Sequence, residues 1–82
     1  MKNKTQMNYR ERIVSDHTVM LGKPVIKGTR ITVEIILKKL SEGANVKDIL
    51  DMYPHIKKED VFAALIYASE VIANEEVLEL EK

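Results

Sequence analysis

Cysteine is absent from this sequence of 82 residues, so no disulfide bond can stabilise the fold. No apolar stretch approaches the roughly 20 residues that a membrane-spanning helix requires. Residues 1–9 are polar and lack the apolar run of a secretory signal peptide. These absences predict a soluble, cytoplasmic protein without a membrane partner. The length predicts one small domain with a thin core, a class of domain that often gains stability from an oligomer.

The spacings typical of catalytic and metal sites are also missing. Gly22, Lys23 and Gly28 do not follow the phosphate-loop order, in which four residues separate a glycine from Gly-Lys-Ser/Thr. No cysteine is present to complete a zinc site with His17 or His55, so we interpret both histidines as surface residues. No spacing supports a Ser-His-acid arrangement. We therefore expect a protein that is not an enzyme and that has no metal and no cofactor.

The net charge of zero hides an uneven distribution of charge along the chain. Residues 1–30 carry seven basic and two acidic side chains, whereas residues 31–82 carry six basic and eleven acidic ones. This asymmetry indicates two contact surfaces, of which the basic one suits the phosphates of nucleic acid. For Arg30, a structural ion pair that ties the N-terminal segment to the helices is an equally good interpretation. The predicted nucleic-acid-binding residues are Arg10, Arg12, Lys23, Lys27, Arg30, Lys57 and Lys58.

Short apolar runs at residues 12–14 and 24–27 are separated by turn-forming residues, which predicts a β arm or hairpin. Two helices are predicted to follow. Thr32 suits the N-cap of the first, and Gly43 suits the left-handed residue that ends it. Asn45 suits the N-cap of a short second helix, which Pro54 breaks because proline disfavours helical geometry in the residue before it.

A third helix is predicted from about Lys58 at least to Ala73, after a tight turn, in the order of a helix-turn-helix. Its apolar residues cover more of the circumference than the stripe of roughly 100° expected for a surface helix. We therefore expect one side to pack on the domain and another to contact a partner or a second copy. The alternative is wrapping by the arm and tail of the same chain. The predicted partner-binding residues are Phe62, Ile66, Tyr67, Val71, Val77 and Leu78.

Residues 22–31, Gly-Lys-Pro-Val-Ile-Lys-Gly-Thr-Arg-Ile, closely resemble the signature of the domain of unknown function 433 family. The order of later features is also similar to that family: Leu40 to Gly43, then Tyr53-Pro54, and a last helix containing residues 63–68. Two positions depart from its pattern. Thr32 stands where the family usually has proline, and Lys57 stands where it favours threonine or serine.

This resemblance implies a mainly α fold: a homeodomain-like three-helix helix-turn-helix unit with a short N-terminal β arm or hairpin. It also implies a VapB-type antitoxin role, because such domains are often encoded beside toxins that resemble PIN-domain ribonucleases. The expected organisation is a flexible N-terminus at 1–9, a trihelical domain with its β arm at 10–73, and an acidic C-terminal tail at 74–82.

The leading hypothesis is a homodimeric, antitoxin-like component of a type II toxin–antitoxin pair that binds a PIN-like nuclease and operator DNA. The third helix lacks side chains suited to reading guanine, so DNA contacts are expected to be sequence-independent. One alternative is a stand-alone dimeric DNA-binding regulator. Another is a protein-interaction adaptor that binds no nucleic acid.

Overall fold

The computed structural model describes residues 9–75 and shows three helices preceded by a small hairpin. The predicted mainly α architecture with an N-terminal hairpin is therefore confirmed. The two strands are β1 (Ile13–Val14) and β2 (Val25–Ile26), and single 3₁₀ turns lie at Tyr9–Glu11 and Met20–Gly22. The helices are α1 (Val33–Ser41), α2 (Val46–Met52) and α3 (Lys58–Asn74). We call residues 9–31 the arm.

The hairpin is antiparallel and pairs Ile13 with Ile26 and Val14 with Val25. After β2 the chain turns sharply at Gly28, whose φ of +82° lies in the left-handed region that glycine tolerates. Thr29 holds this turn, because its hydroxyl donates to the Ile26 carbonyl and accepts from the Ile31 N–H. Residues 28–31, the last part of the segment that carries the family resemblance, therefore form a hydrogen-bonded turn that leads β2 into α1.

Polar side chains close the N-termini of α1 and α2 as predicted. The Thr32 hydroxyl accepts the Ile35 N–H at 3.0 Å. Asn45 and Asp48 form a reciprocal pair, in which each side chain accepts the backbone N–H of the other at 2.8 and 2.9 Å. Each such cap contributes about 1 kcal/mol. The first turns of both helices are thus determined by residues only three positions apart.

The first turn of α3 is closed differently, because Lys57 offers no side-chain acceptor. The Asp60 carboxylate accepts the Lys57 N–H at 2.9 Å instead. On the inner face of α3, Val61, Ala63 and Ala64 are fully buried. They join a core made by β1, β2, α1 and α2, whose other buried members are Ile13, Ile26, Val33, Ile36, Ile49 and Ile56.

Arg12 and Asp60 join the arm to the start of α3. The Arg12 guanidinium lies 3.0 Å from one carboxylate oxygen of Asp60, while the other oxygen accepts the Lys57 N–H. Asp60 is only 7% exposed. Because a carboxylate with so little access to water needs partners for its charge and lone pairs, this ion pair fixes both the arm and the first turn of α3.

Replacing Arg12 by alanine is expected to lower the free energy of unfolding by about 2 kcal/mol, because the Asp60 carboxylate loses its charged partner while staying shielded from water. Urea denaturation followed by circular dichroism measures the change. The control is Lys47→Ala, which removes the exposed pair between Lys47 and Asp51. It should cost no more than about 0.5 kcal/mol. Equal losses in the two variants would contradict a structural role for the Arg12–Asp60 pair.

Candidate interaction surface

The side of α3 that faces away from the core presents large apolar side chains to solvent. Phe62 is 41% exposed, Leu65 is 40% exposed and Ile72 is 67% exposed. With exposed Ser69 they form one line along the helix, which we call the outer strip (Phe62, Leu65, Ser69 and Ile72). Their separations of three, four and three residues keep them on one helix face. The outer strip is therefore a continuous feature and not a scatter of single apolar residues.

A second apolar surface lies where α3 meets α1. It is an open groove of about 570 Å³, and its walls include Leu37 on α1 and Tyr67, Val71 and Ile72 on α3, so it shares Ile72 with the outer strip. Pro24 of the arm also lines it, and Glu34 and Lys38 contribute one charge of each sign. We call this the α1–α3 groove. It provides a concave apolar site beside the convex outer strip.

The predicted partner-binding residues divide between these two surfaces. Phe62 belongs to the outer strip, and half-buried Ile66 lies beside it on the helix. Tyr67 and Val71 line the α1–α3 groove. The remaining two, Val77 and Leu78, lie outside the described residues.

Sequence reasoning left Leu65 and Ile72 out of the candidate site, although their helical spacing from Phe62 was available as a signal. It also missed Leu21, which is 91% exposed. Leu21 and Met20 both have positive φ, 58° and 50°, which is costly for side chains with a Cβ. No local pattern indicates this conformation. It depends on how residues 15–24 close between the two strands.

The predicted nucleic-acid-binding residues also fall into groups. Three are paired with carboxylates: Arg10 with Glu70 at 3.9 Å, Arg12 with Asp60 at 3.0 Å and Lys23 with Glu34 at 2.9 Å. The other four are exposed and form no ion pair within residues 9–75: Lys27, Arg30, Lys57 and Lys58. The ion pairs that tie the arm to the helices are made by Arg10, Arg12 and Lys23, whereas Arg30 forms none within residues 9–75.

Lys27 of the arm and Lys57 before α3 come together around a shallow depression of about 360 Å³. His55 and Glu11 line it as well, and so do the paired Arg12 and Asp60. Arg30 is not part of this group, since it lies beside Thr29 and Val25 on another side of the arm. We call Lys27, His55 and Lys57 the basic rim.

Neither metal ligation nor membrane insertion is indicated by the part of the chain that the structure describes. Residues 9–75 contain no cluster of three or more His, Cys, Asp or Glu side chains that could hold a metal ion. Within the same residues, no helix combines the length and the apolar content that crossing a bilayer requires.

A family model described as "Protein of unknown function (DUF433)" matches residues 13–68, which is more than half of the chain. The chain belongs to the DUF433 family. The match begins at β1, contains the Gly28–Thr29 turn and all of α1 and α2, and ends within α3. The family resemblance of the sequence is thereby confirmed.

The chain is similar to a solved structure of a family member and to proteins that differ from it in length. A crystal structure of a DUF433 member from Anabaena variabilis superposes with a TM-score of 0.72 at 31% identity, covering 76% of this chain and 61% of that one. An uncharacterized protein of Sinorhizobium fredii, y4eO, is 32% identical over 59 residues, which cover 72% of this chain and 27% of that protein. An uncharacterized protein of Archaeoglobus fulgidus is 71% identical over 24 residues, 29% of this chain and 67% of that protein. The matched region thus covers less than two thirds of the first two relatives.

The DUF433 match leaves out a contact between the beginning of the arm and the later turns of α3. Tyr9, assigned by the sequence to the N-terminal segment, donates its hydroxyl to a Glu70 carboxylate oxygen at 2.7 Å. Its ring lies edge-on to Tyr67, with 6.2 Å between centroids, and the Arg10 guanidinium lies 5.4 Å above the Tyr9 ring. The hydrogen bond to Glu70, with some loss of hydration, raises the pKa of the Tyr9 phenol.

Another local contact orders the loop between the strands. The Asp16 carboxylate accepts the backbone N–H of Thr18 at 2.9 Å and the Thr18 hydroxyl at 2.7 Å. These two hydrogen bonds lower the pKa of Asp16. Because they favour the ionised carboxylate, the loop is held most firmly above the ordinary pKa of an aspartate.

The Tyr9–Glu70 contact is expected to weaken in alkaline solution. The pKa of Tyr9 is higher in the folded chain than its unfolded value of about 10, so the contact stabilises the fold at pH values below about 10. This stabilisation is lost as the pH rises through the folded-state pKa of Tyr9. The measurement is a phenolate absorbance titration of the protein minus that of its Tyr9→Phe variant. Glu70→Gln should shift this difference curve to lower pH, whereas Glu59→Gln should leave it in place. An unshifted curve in Glu70→Gln would show that the hydrogen bond is not formed in solution.

Proposed function

We propose that this DUF433 protein is a non-catalytic binding protein, the antitoxin-like component of a type II toxin–antitoxin pair whose partner is a PIN-like nuclease. The observation that carries this proposal is the apolar surface of α3, which is left open on the outer strip and in the α1–α3 groove. Grouped apolar surface of this kind typically marks a site of protein association.

The α1–α3 groove is the surface assigned to the nuclease. Its concave apolar walls suit a helix or an extended segment of a partner, because such grooves bury the apolar face of a bound peptide. Charge supports the same partner class. Residues 31–82 carry eleven acidic and six basic side chains, so this part of the chain favours a partner with a basic surface, whereas the groove itself is balanced by Glu34 and Lys38.

Co-expression with a PIN-like nuclease encoded beside this chain is expected to give a complex that purifies through a tag on either protein. Val71→Asp should weaken the complex at least about tenfold, because it places an unpaired charge against a desolvated apolar contact. Met52→Asp is the matched control, since Met52 is similarly exposed but lies on α2, away from the groove. Titration calorimetry measures the affinities. Full nuclease activity with excess DUF433 protein would refute the antitoxin proposal.

A second function, binding of operator DNA through its phosphates, is favoured by the basic rim. Lys27 and Lys57 reach it from distant parts of the chain, and neither has a carboxylate partner within residues 9–75. Lys58 and Arg30 add further cations without such partners. Sequence-independent contacts are the expected mode, because lysine side chains reach phosphates as point charges.

Replacing Lys27 and Lys57 together by alanine is expected to weaken binding to all duplex sequences alike. The slope of log affinity against log salt should fall in magnitude by about 2, since each phosphate contact contributes about 0.9. Fluorescence anisotropy over a salt series measures this. Lys47→Ala serves as control, because Lys47 is already paired with Asp51 on α2. If the protein, alone and with its partner, binds no DNA at low salt, the DNA proposal is wrong.

A further inference from the structure

The separations between neighbouring residues of the outer strip follow the same order in both directions along α3. Phe62 and Leu65 are three residues apart, Leu65 and Ser69 are four apart, and Ser69 and Ile72 are again three apart. Alternating separations of three and four are the pattern of a two-helix seam. Because this pattern is symmetric about its midpoint, a second α3 running the opposite way presents matching positions at every layer.

The sizes of the side chains favour the antiparallel arrangement over the parallel one. With the midpoint between Leu65 and Ser69 as the two-fold axis, Leu65 lies opposite Ser69 of the second copy, so a large side chain faces a small one. Phe62 then lies opposite Ile72. In a parallel pair, Ser69 would face Ser69 and leave a gap, and such gaps are costly in packed interfaces.

Charge and the helix dipoles favour the same direction. The charges at the start of α3 balance, since Lys57 and Lys58 are followed by Glu59 and Asp60, whereas Glu70 and Glu75 make its later turns acidic. Parallel packing would bring the two acidic ends together, whereas antiparallel packing separates them and also opposes the two helix dipoles.

The arm and α1 contact α3 away from Phe62, Leu65 and Ser69. Tyr9 meets α3 at Tyr67 and Glu70, and α1 meets it across the groove that Ala68, Val71 and Ile72 line, so Ile72 lies at the border of the strip. The outer strip is at least 40% exposed at each of its large side chains. A second copy can therefore pack on the strip without displacing either the arm or α1.

We propose that two copies of this chain associate through the outer strip, with their α3 helices packed antiparallel about a two-fold axis midway between Leu65 and Ser69. Ile72 also lines the α1–α3 groove, so the dimer and the proposed nuclease partner share this one side chain. The interface is closed, because the same strip is used on both copies. Val71 and the basic rim lie outside it, so a dimer carries each of those surfaces twice and gains bivalent binding to any extended or dimeric partner.

Light scattering on the purified chain over a concentration series tests the association itself. The expected result is a mass that rises to twice that of one chain, and Leu65→Asp should raise the apparent dissociation constant at least about tenfold. Val71→Asp and Met52→Asp, which introduce the same charge outside the strip, should stay dimeric. A monomer at every concentration up to about 1 mM overturns the proposal, and so does a dimer that Leu65→Asp leaves intact while circular dichroism shows a folded variant.

Cysteine cross-linking tests the direction of packing. Because the sequence has no cysteine, the introduced thiols are the only ones that can form a disulfide. Under mild oxidation, a mixture of Phe62→Cys and Ile72→Cys chains should form covalent dimers of the mixed kind, and so should Leu65→Cys with Ser69→Cys. Phe62→Cys alone should not, because the two thiols lie roughly 15 Å apart in the antiparallel pair, too far for a disulfide. Efficient cross-linking of Phe62→Cys with itself, without the mixed product, overturns the antiparallel arrangement. These outcomes involve no nuclease, so they are separate from those of the antitoxin proposal.

Discussion

The ion pair between Arg12 and Asp60 is the contact on which the placement of the candidate surfaces depends. It joins residues 48 positions apart and gives Asp60 a charged partner at a site with little access to water. The same carboxylate closes the first turn of α3 by accepting the Lys57 N–H. One side chain therefore sets both where α3 begins and how the arm lies against it. The basic rim exists because these two segments meet there.

Around this anchor, α3 serves three purposes on three sides. Val61, Ala63 and Ala64 fill the core, the arm contacts Tyr67 and Glu70, and the outer strip remains in solvent. A chain of this length buries a small fraction of its surface compared with larger domains. The apolar residues of α3 thus exceed those that its own core buries, and Phe62, Leu65 and Ile72 remain exposed.

The basic residues show which part of a nucleic-acid-binding site can be predicted from sequence. Counting charges correctly distinguishes the basic residues 1–30 from the acidic residues 31–82, but it treats every basic side chain as equally available to bind phosphate. In the folded chain, Arg10, Arg12 and Lys23 are drawn into ion pairs with carboxylates far along the sequence, whereas Lys27 and Lys57 are not. Ion pairing of this kind is decided by which segments pack together, so composition and periodicity carry no information about it.

What the sequence determined by itself is local: the Thr32 and Asn45 caps, the glycine turn at Gly28 and the three helices follow from interactions between residues a few positions apart. The family likeness is equally readable, because it rests on those same turns. Only the tertiary structure decided which face of α3 stays open, why Leu21 points into solvent and which cations remain without carboxylate partners. Those outcomes depend on contacts between segments distant in sequence, and the free energy of such contacts is set by packing and burial that no local pattern contains.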